Sequence, residues 1–410
     1  MRITVSDALS IARTPCQNVL AKIASTDSDY KSAAIQAALN VLDIFKCNRN
    51  TREFTYLLAS YKLPLELIAR RDGSFVGWAS LLFNCASRGR VGSDQWEQAI
   101  SMGKELLISV LIDEGETCIP FAISESGCSL HAIGEKLIPN PIGAIISGSQ
   151  YFERITLSAI QCSSGYLYID EAHNIVSRFV SDYSFPGGLK ARPLTGPNYE
   201  DHLHRSDVSA IERGVSILSN SWEFGTVLVK YFAPSIFPVL SPSRKENISV
   251  SSELFPGWIV ASLDTPIYMA ECLVHEASHN LLYALARNFQ FVNADCQHFF
   301  YSPWRPDPRP LDGLLHACFV FCNVIDMYYH ISMQEHSLEL QSRYRLGAEL
   351  KRVQICLDIL LHSGFLTLDG LGLVEALAHR AKHLQKSDVG ILSSSDYLEI
   401  LRHLDQNNQS

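Results

Sequence analysis

The sequence predicts an α+β fold, mainly helical with a modest sheet. Two observations carry that expectation. Apolar residues recur at helical spacing through long stretches near both ends of the chain, and short alternating runs punctuated by Gly, Ser and Pro lie between them. A third observation places the chemistry. His275-Glu276-Ala277-Ser278-His279 sits in a Pro- and Gly-free helical stretch, followed by a Pro-rich loop and a second helix that faces it. With 410 residues, 47% of them hydrophobic, the chain has ample material for a core. The expected organisation is a mainly helical N-terminal region over 1–150 and a metal-binding catalytic region over 151–410, packed with the first as one compact unit.

The elements follow in order. Ala33, Ala34, Ala37, Ala38, Val41 and Ile44 predict a helix over 30–48, and Phe54, Leu57, Leu58 and Tyr61 predict one over 51–63 that Pro64 ends. A short helical turn at Leu65 to Arg70 and a helix over 93–112 come next. Residues 115–150 read as short strands and loops. Gly165 to Ile169 alternates as a strand, with Ile175 to Val180 as its hairpin partner. Residues 183–205 are a long loop, and Ser206-Asp207 caps a helix through Leu218. The β-branched run Thr226 to Phe232 predicts a strand, Pro-rich turns follow, and Gly257 to Ser262 predicts another strand. The motif helix spans about 267–288 and a Pro-rich connection covers 293–310. Helices close the chain at about 310–332, 336–363 and 369–386.

Composition excludes several function classes. A net charge of −9 with no basic run argues against nucleic acid as a partner. The first residues lack the apolar core of a signal peptide, and no stretch of eighteen apolar residues predicts a membrane span. Eleven cysteines in no recognisable framework fit reduced thiols, hence a cytoplasmic protein.

Two histidines four apart project from one helix face and can close on one first-row divalent ion. Glu276 lies beside the first, where its carboxylate can reach a metal-bound water. The alternative is a helix whose histidines are satisfied core residues. A zinc hydrolase needs a third protein ligand and an open position. Leu282 and Leu285 occupy the positions where a metzincin carries Gly and its third His, and no Glu lies between His279 and Glu335. Asp295, Asp307 and Asp312 are the nearby carboxylates. His316, two turns into the helix that Pro310 opens, is a further third-ligand candidate, set against a core His bonded to a carbonyl. Arg305 and Arg309 offer bidentate partners for a carboxylate, or serve as structural surface charges.

Weaker signals are set aside. Asp170-Glu171-Ala172-His173 has no phosphate-binding loop to go with it. His202-Leu203-His204 reads as a solvated pair, and His403-Leu404-Asp405 as a tail helix. Cys318 and Cys322, at i,i+4 spacing, read as thiols packed beside the site.

Leu273-Val274-His275-Glu276-Ala277-Ser278-His279 and the run Ser302-Pro303-Trp304-Arg305-Pro306-Asp307-Pro308-Arg309-Pro310-Leu311-Asp312-Gly313-Leu314-Leu315-His316 together resemble the HExxH-type 2-oxoglutarate-dependent peptide β-hydroxylases, the HEXXH-motif peptide-modification proteins of bacteria. Pro256 to Ser262 is similar to that family's preceding strand. The match is dense from about 219 to 330 and vague elsewhere. The resemblance implies Fe(II) held by His275, His279 and His316, with positions left open for 2-oxoglutarate and O2. It implies that Arg305 or Arg309 pairs with the distal carboxylate of 2-oxoglutarate, and that a ribosomally made precursor peptide is hydroxylated at a Cβ. Glu276 then orients His275 or a bound water. The competing expectations are a zinc peptidase of HExxH type with an atypical third ligand and Glu276 as base, and a non-catalytic peptide-binding protein with a structural metal.

Overall fold

The chain is described from a computed structural model. It describes residues 3–13, 16–44, most of 74–100, isolated strands between 129 and 193, and 205–386 apart from short gaps at 234, 241–247, 254–255 and 263. The expected helix over 51–63, the turn at 65–70, the hairpin partner at 175–180 and most of the helix over 93–112 lie outside these residues.

In chain order the helices are α1 (Val5–Arg13), α2 (Gln17–Ile44), α3 (Ser74–Ser87), α4 (Arg205–Ser221), α5 (Glu223–Phe232), α6 (Pro266–Ala286), α7 (Leu311–Gln334), α8 (Glu339–His362) and α9 (Leu368–Lys386). The strands are β1 (Ser129–Ile133), β2 (Lys136–Pro139), β3 (Ala144–Ile145), β4 (Thr156–Leu157), β5 (Ala159–Cys162), β6 (Gly165–Ile169), β7 (Arg192–Pro193), β8 (Ser235–Leu240), β9 (Ser249–Ser251), β10 (Trp258–Ser262), β11 (Phe299–Ser302) and β12 (Arg305–Pro310). The fold is mainly helical α+β. The long periodic helices at the C-terminal end appear where their spacing puts them, and α8 is preceded by a 3-10 turn at His336–Leu338.

Two compact units can be separated. One comprises residues 24–212 and 232–265. It holds a sheet in which β1 pairs antiparallel with β2 and β3 and parallel with β4. It also holds a larger sheet in the order β5-β6-β8-β10-β9, with β7 alongside β8. The strand over 165–169 is present as β6, and its described antiparallel partner is the preceding β5. β10 is buried along its whole length, between a parallel β8 and an antiparallel β9. Sequence reading assigns the stretch containing β8 to Pro-rich turns, and the structure corrects this. Among the described residues, opposite β10, β6 pairs with Ser235 and Ile236 and β7 with Val239 and Leu240, and Pro238 has no ladder partner on that side. A proline is tolerated at such a position because it has no N–H to donate.

The other unit comprises residues 1–23, 213–231 and 266–410. Here α7 packs against α6, α8 and α9, α8 packs on α9, and α1 docks on α9. Among the described residues, α7 is the one helix long and apolar enough to cross a membrane, yet 72% of its apolar window is buried inside the protein, as in a core helix.

Two more corrections concern this stretch of chain. The run Thr226 to Phe232 is helix α5, not a strand. Phe224, Leu228, Val229 and Phe232 are buried at helical spacing, and that tertiary burial overrides the β-propensity of Thr and Val. The Pro-rich connection contains the β11–β12 hairpin, paired through Phe299↔Pro310, Phe300↔Arg309 and Ser302↔Arg305.

Segment 290–293 ties to the start of α9. Asn293 donates its backbone N–H to the Phe365 carbonyl at 2.8 Å, and Thr367 donates its own to the Phe291 carbonyl at 3.0 Å. A Cβ at Gly370 would stand 1.9 Å from that same Phe291 oxygen. Gly370→Ala therefore forces backbone against backbone. It should cost about 3 kcal/mol, the upper end of overpacking penalties, and appear as a lowered Tm in calorimetry.

Candidate metal centre

Helix α6 opens on Pro266, a residue suited to a first helical position. From Glu271 to Tyr283 every residue is buried except Glu271, His275, His279 and Tyr283. That spacing is a single i,i+4 stripe left partly open on an otherwise enclosed helix. Helix α7 presents a matching stripe of half-buried residues, Gly313, His316, Ala317 and Phe321. The helices run antiparallel, since His279 meets His316 at one end and Glu271 meets Tyr328 at the other. The two stripes therefore line one cleft.

His279 and His316 approach through their Nδ1 atoms at 3.4 Å. Two nitrogens bound 2.0–2.1 Å from a tetrahedral ion stand about 3.3 Å apart, and about 3 Å apart at a right angle. His275 is adjacent, its ring 5.1 Å from that of His279, centroid to centroid. Its Nε2 lies 4.0 Å from Glu276 Oε1. Among the described residues, no three His, Cys, Asp or Glu side chains converge on one point. Burial pushes the His279 pKa well below the ordinary histidine range, and the neighbouring His275 and His316 push it further. A neutral imidazole is the form that binds metal. The donor set thus fits a first-row divalent ion in type and, for one pair, in spacing.

The surroundings are ordered. Asp312 lies 4.0 Å from His316 Nε2, on the ring nitrogen opposite His279. That distance is longer than a hydrogen bond, and it sets the Asp312 carboxylate on the far side of the His316 ring from His279. Glu276 is only 2% exposed. Tyr283 is missed by sequence reasoning. Its ring lies 6.2 Å from His279 and 5.1 Å from His316, closing one end of the cleft. At the other end Phe321 sets its ring edge-on to His275 at 5.2 Å, and Trp304 stacks flat on Phe321 at 4.5 Å. Trp304 Nε1 donates to the buried Glu349 carboxylate at 2.8 Å, and Arg352 donates to the other oxygen of that group. Aromatic residues at helical spacing look like core in sequence, so neither Tyr283 nor Phe321 carried a usable signal.

The anchored Trp304 fixes the tip of the hairpin. Strand β12 leads from there to the first turn of α7, flanking the cleft. Arg309 lies across Gly313, with its Nε 3.5 Å from where a Cβ would stand. Arg305 Nε donates to Asp307 at 3.0 Å, and Arg309 Nη1 is 3.7 Å from the other oxygen of that carboxylate. The Arg305 hydrogen bond holds the Asp307 carboxyl below its usual range. Both arginines therefore converge on one carboxylate. Beyond Tyr283 a cavity of about 430 Å³ opens, bounded by Arg287, Phe289, Gln290 and Asp312. Asp295 takes no part in the cluster.

Cys318, Cys322 and Cys356 are buried free thiols. Hydrogen bonds from Cys322 and Cys356, then burial, push the Cys318 thiol pKa well up, so it stays protonated. The pairs at 202–204 and 403–405 and the box at 170–173 lie outside the described residues. No protein-family model matches the chain, and no curated protein matches it.

Proposed function

We propose that the chain is an Fe(II)- and 2-oxoglutarate-dependent oxygenase that hydroxylates a Cβ in a ribosomally made peptide. The observation that supports it most is the 3.4 Å approach of His316 to His279. The motif segment carrying Arg305 and Arg309 thereby delivers a third imidazole to the HExxH helix. The family reading itself rests on the two motif segments.

His275, His279 and His316 would hold the ion, which leaves coordination positions free for small ligands. When bound, Fe(II) couples oxidation of 2-oxoglutarate by O2, giving succinate and CO2, to insertion of one oxygen atom into a C–H bond. The chain does the rest. Arg309, with Arg305, takes the distal carboxylate of the cosubstrate, because an unpaired charge in a shielded cleft is costly. Phe321 and Trp304 wall the His275 end with apolar surface and keep water from the reacting centre. Burial of Glu276 supports an orienting role over that of a base acting on solvent-derived water, which is the role a zinc peptidase would need.

Purified protein with Fe(II), 2-oxoglutarate and a precursor peptide should yield succinate and a peptide heavier by one oxygen. Product that forms equally well without 2-oxoglutarate, or a cleaved peptide, would refute the assignment.

A further inference from the structure

A chain of buried polar groups that the proposed chemistry does not use links α9, α7 and α6. Arg380, 4% exposed, donates Nε to Asp326 Oδ2 at 2.6 Å and a second N–H to Asn323 Oδ1 at 2.9 Å. Asn323 donates Nδ2 to Ser278 Oγ at 3.0 Å, and Ser278 donates to the Val274 carbonyl at 2.6 Å. Asn323 and Ser278 are fully buried. Every group has one sense in this relay, because the arginine only donates and the carbonyl only accepts. The orientation of the Asn323 amide is fixed by those two ends.

Placement gives the relay its meaning. Ser278 lies between the motif histidines, one residue before His279. Asn323 lies seven residues after His316, two turns further along α7. The buried side chains of both helices are otherwise mostly apolar, among them Leu281 and Ala277 on α6 and Leu315, Phe319 and Val324 on α7. Tyr328 donates to Glu271 at the far, part-buried end of the pair, whereas the Asn323–Ser278 bond is fully buried beside the histidines. Apolar surfaces tolerate sliding, whereas a buried amide–hydroxyl pair is satisfied in one register only. A slip of a single residue moves an α-helix by about 1.5 Å along its axis. That is enough to undo a 3.4 Å nitrogen pair.

We propose that Asn323, oriented by Arg380, is a positioning residue for the metal centre. It locks α6 against α7 in the register at which His279 and His316 share one ion. The inference rests on the metal-binding part of the reading above and is independent of the oxygenase chemistry.

The test is Ser278→Ala/Asn323→Leu, titrated as metal-free full-length protein with Co(II) alone and followed by the visible d–d absorption. Replacing both partners strands neither side of the Asn323–Ser278 bond, but Arg380 loses one of its acceptors. The Tm should therefore fall by several degrees while the protein stays folded, and the titration is read on protein whose melt shows it folded. Affinity for Co(II) should fall 10–100-fold, the scale of losing an outer-sphere partner, and the absorption band should change shape. Unchanged affinity and band in the double variant overturn the proposal. If the double variant does not fold, Ser278→Ala alone carries the same test, since Asn323 keeps Arg380 and the Phe319 carbonyl at 3.5 Å. An unaltered titration there overturns the proposal equally. Wild-type protein that takes up no Co(II) overturns the metal reading and this role with it. Wild-type protein that binds Co(II) but does not turn over 2-oxoglutarate sinks only the oxygenase.

Discussion

His316→Ala should leave a folded protein that no longer converts 2-oxoglutarate to succinate. The residue is half-buried on the open stripe of α7, so its removal empties space toward the cleft and leaves the core intact. Its stability cost should stay near or below about 1 kcal/mol, as for substitutions away from the packed interior. The metal should respond very differently. Of the three motif histidines, His316 and His279 are the pair at ion-sharing distance, and His275 stands adjacent. Losing one of that pair removes half of the donor set that is already assembled. Metal affinity should therefore fall by more than the 10–100-fold that an outer partner costs. Isothermal titration with Co(II), read beside a thermal melt, separates the two effects. His316→Asp should restore part of the affinity, because two imidazoles and a carboxylate form a facial set common for Fe(II). That recovery should be incomplete, as Asp312 would then stand close to a second negative charge. Full metal binding in His316→Ala would move the third ligand elsewhere and dissolve the link between the two motif segments.

Much of the helical frame that carries this cluster is legible in the sequence for definable reasons. Helices α6, α7 and α9 declare themselves through long uninterrupted periodicity, which local propensity and tertiary burial both favour. The i,i+4 spacing of His275 and His279 fixes their shared face without any tertiary knowledge. His316 needed the second motif segment, because a lone histidine on a core-facing helix has an equally good bland explanation. What stays hidden is whatever depends on long-range packing. Helix α5 is spelled in residues that favour strands, and only the surroundings of Phe224 and Phe232 make it helical. Strand β12 is masked by Pro306, Pro308 and Pro310, although their period of two was itself a strand signal on a two-stranded hairpin. The buried relay through Asn323 and Arg380 joins residues 57 positions apart, and nothing local in either segment announces it.

Arg309→Ala should weaken the cosubstrate far more than the metal. Arg309 lies across Gly313, one turn before His316 on the open stripe, so its guanidinium is close to the cleft while its strand is held by the Trp304 anchor. Arg305 sits nearer the hairpin tip, and its Nε is committed to Asp307. A hydrogen bond to a charged group contributes about 1.5–3 kcal/mol when shielded. Arg309 is over a third exposed, which places its loss at the low end of that range. The expected result is a KM for 2-oxoglutarate raised roughly tenfold in Arg309→Ala, less in Arg305→Ala, with kcat at saturation and Co(II) affinity near wild type. Arg309→Lys should recover only part of the loss, since it keeps the charge but not the planar fork. The Asp307 carboxylate already occupies this pair, so the cosubstrate must displace it or share the remaining N–H donors. Both arginines have donors to spare, as each guanidinium carries five. If neither arginine variant changes KM, the two guanidinium groups serve only to staple β12 through Asp307. The cleft would then lack an anchor for a dicarboxylate, and the metal centre would need a different cosubstrate or none.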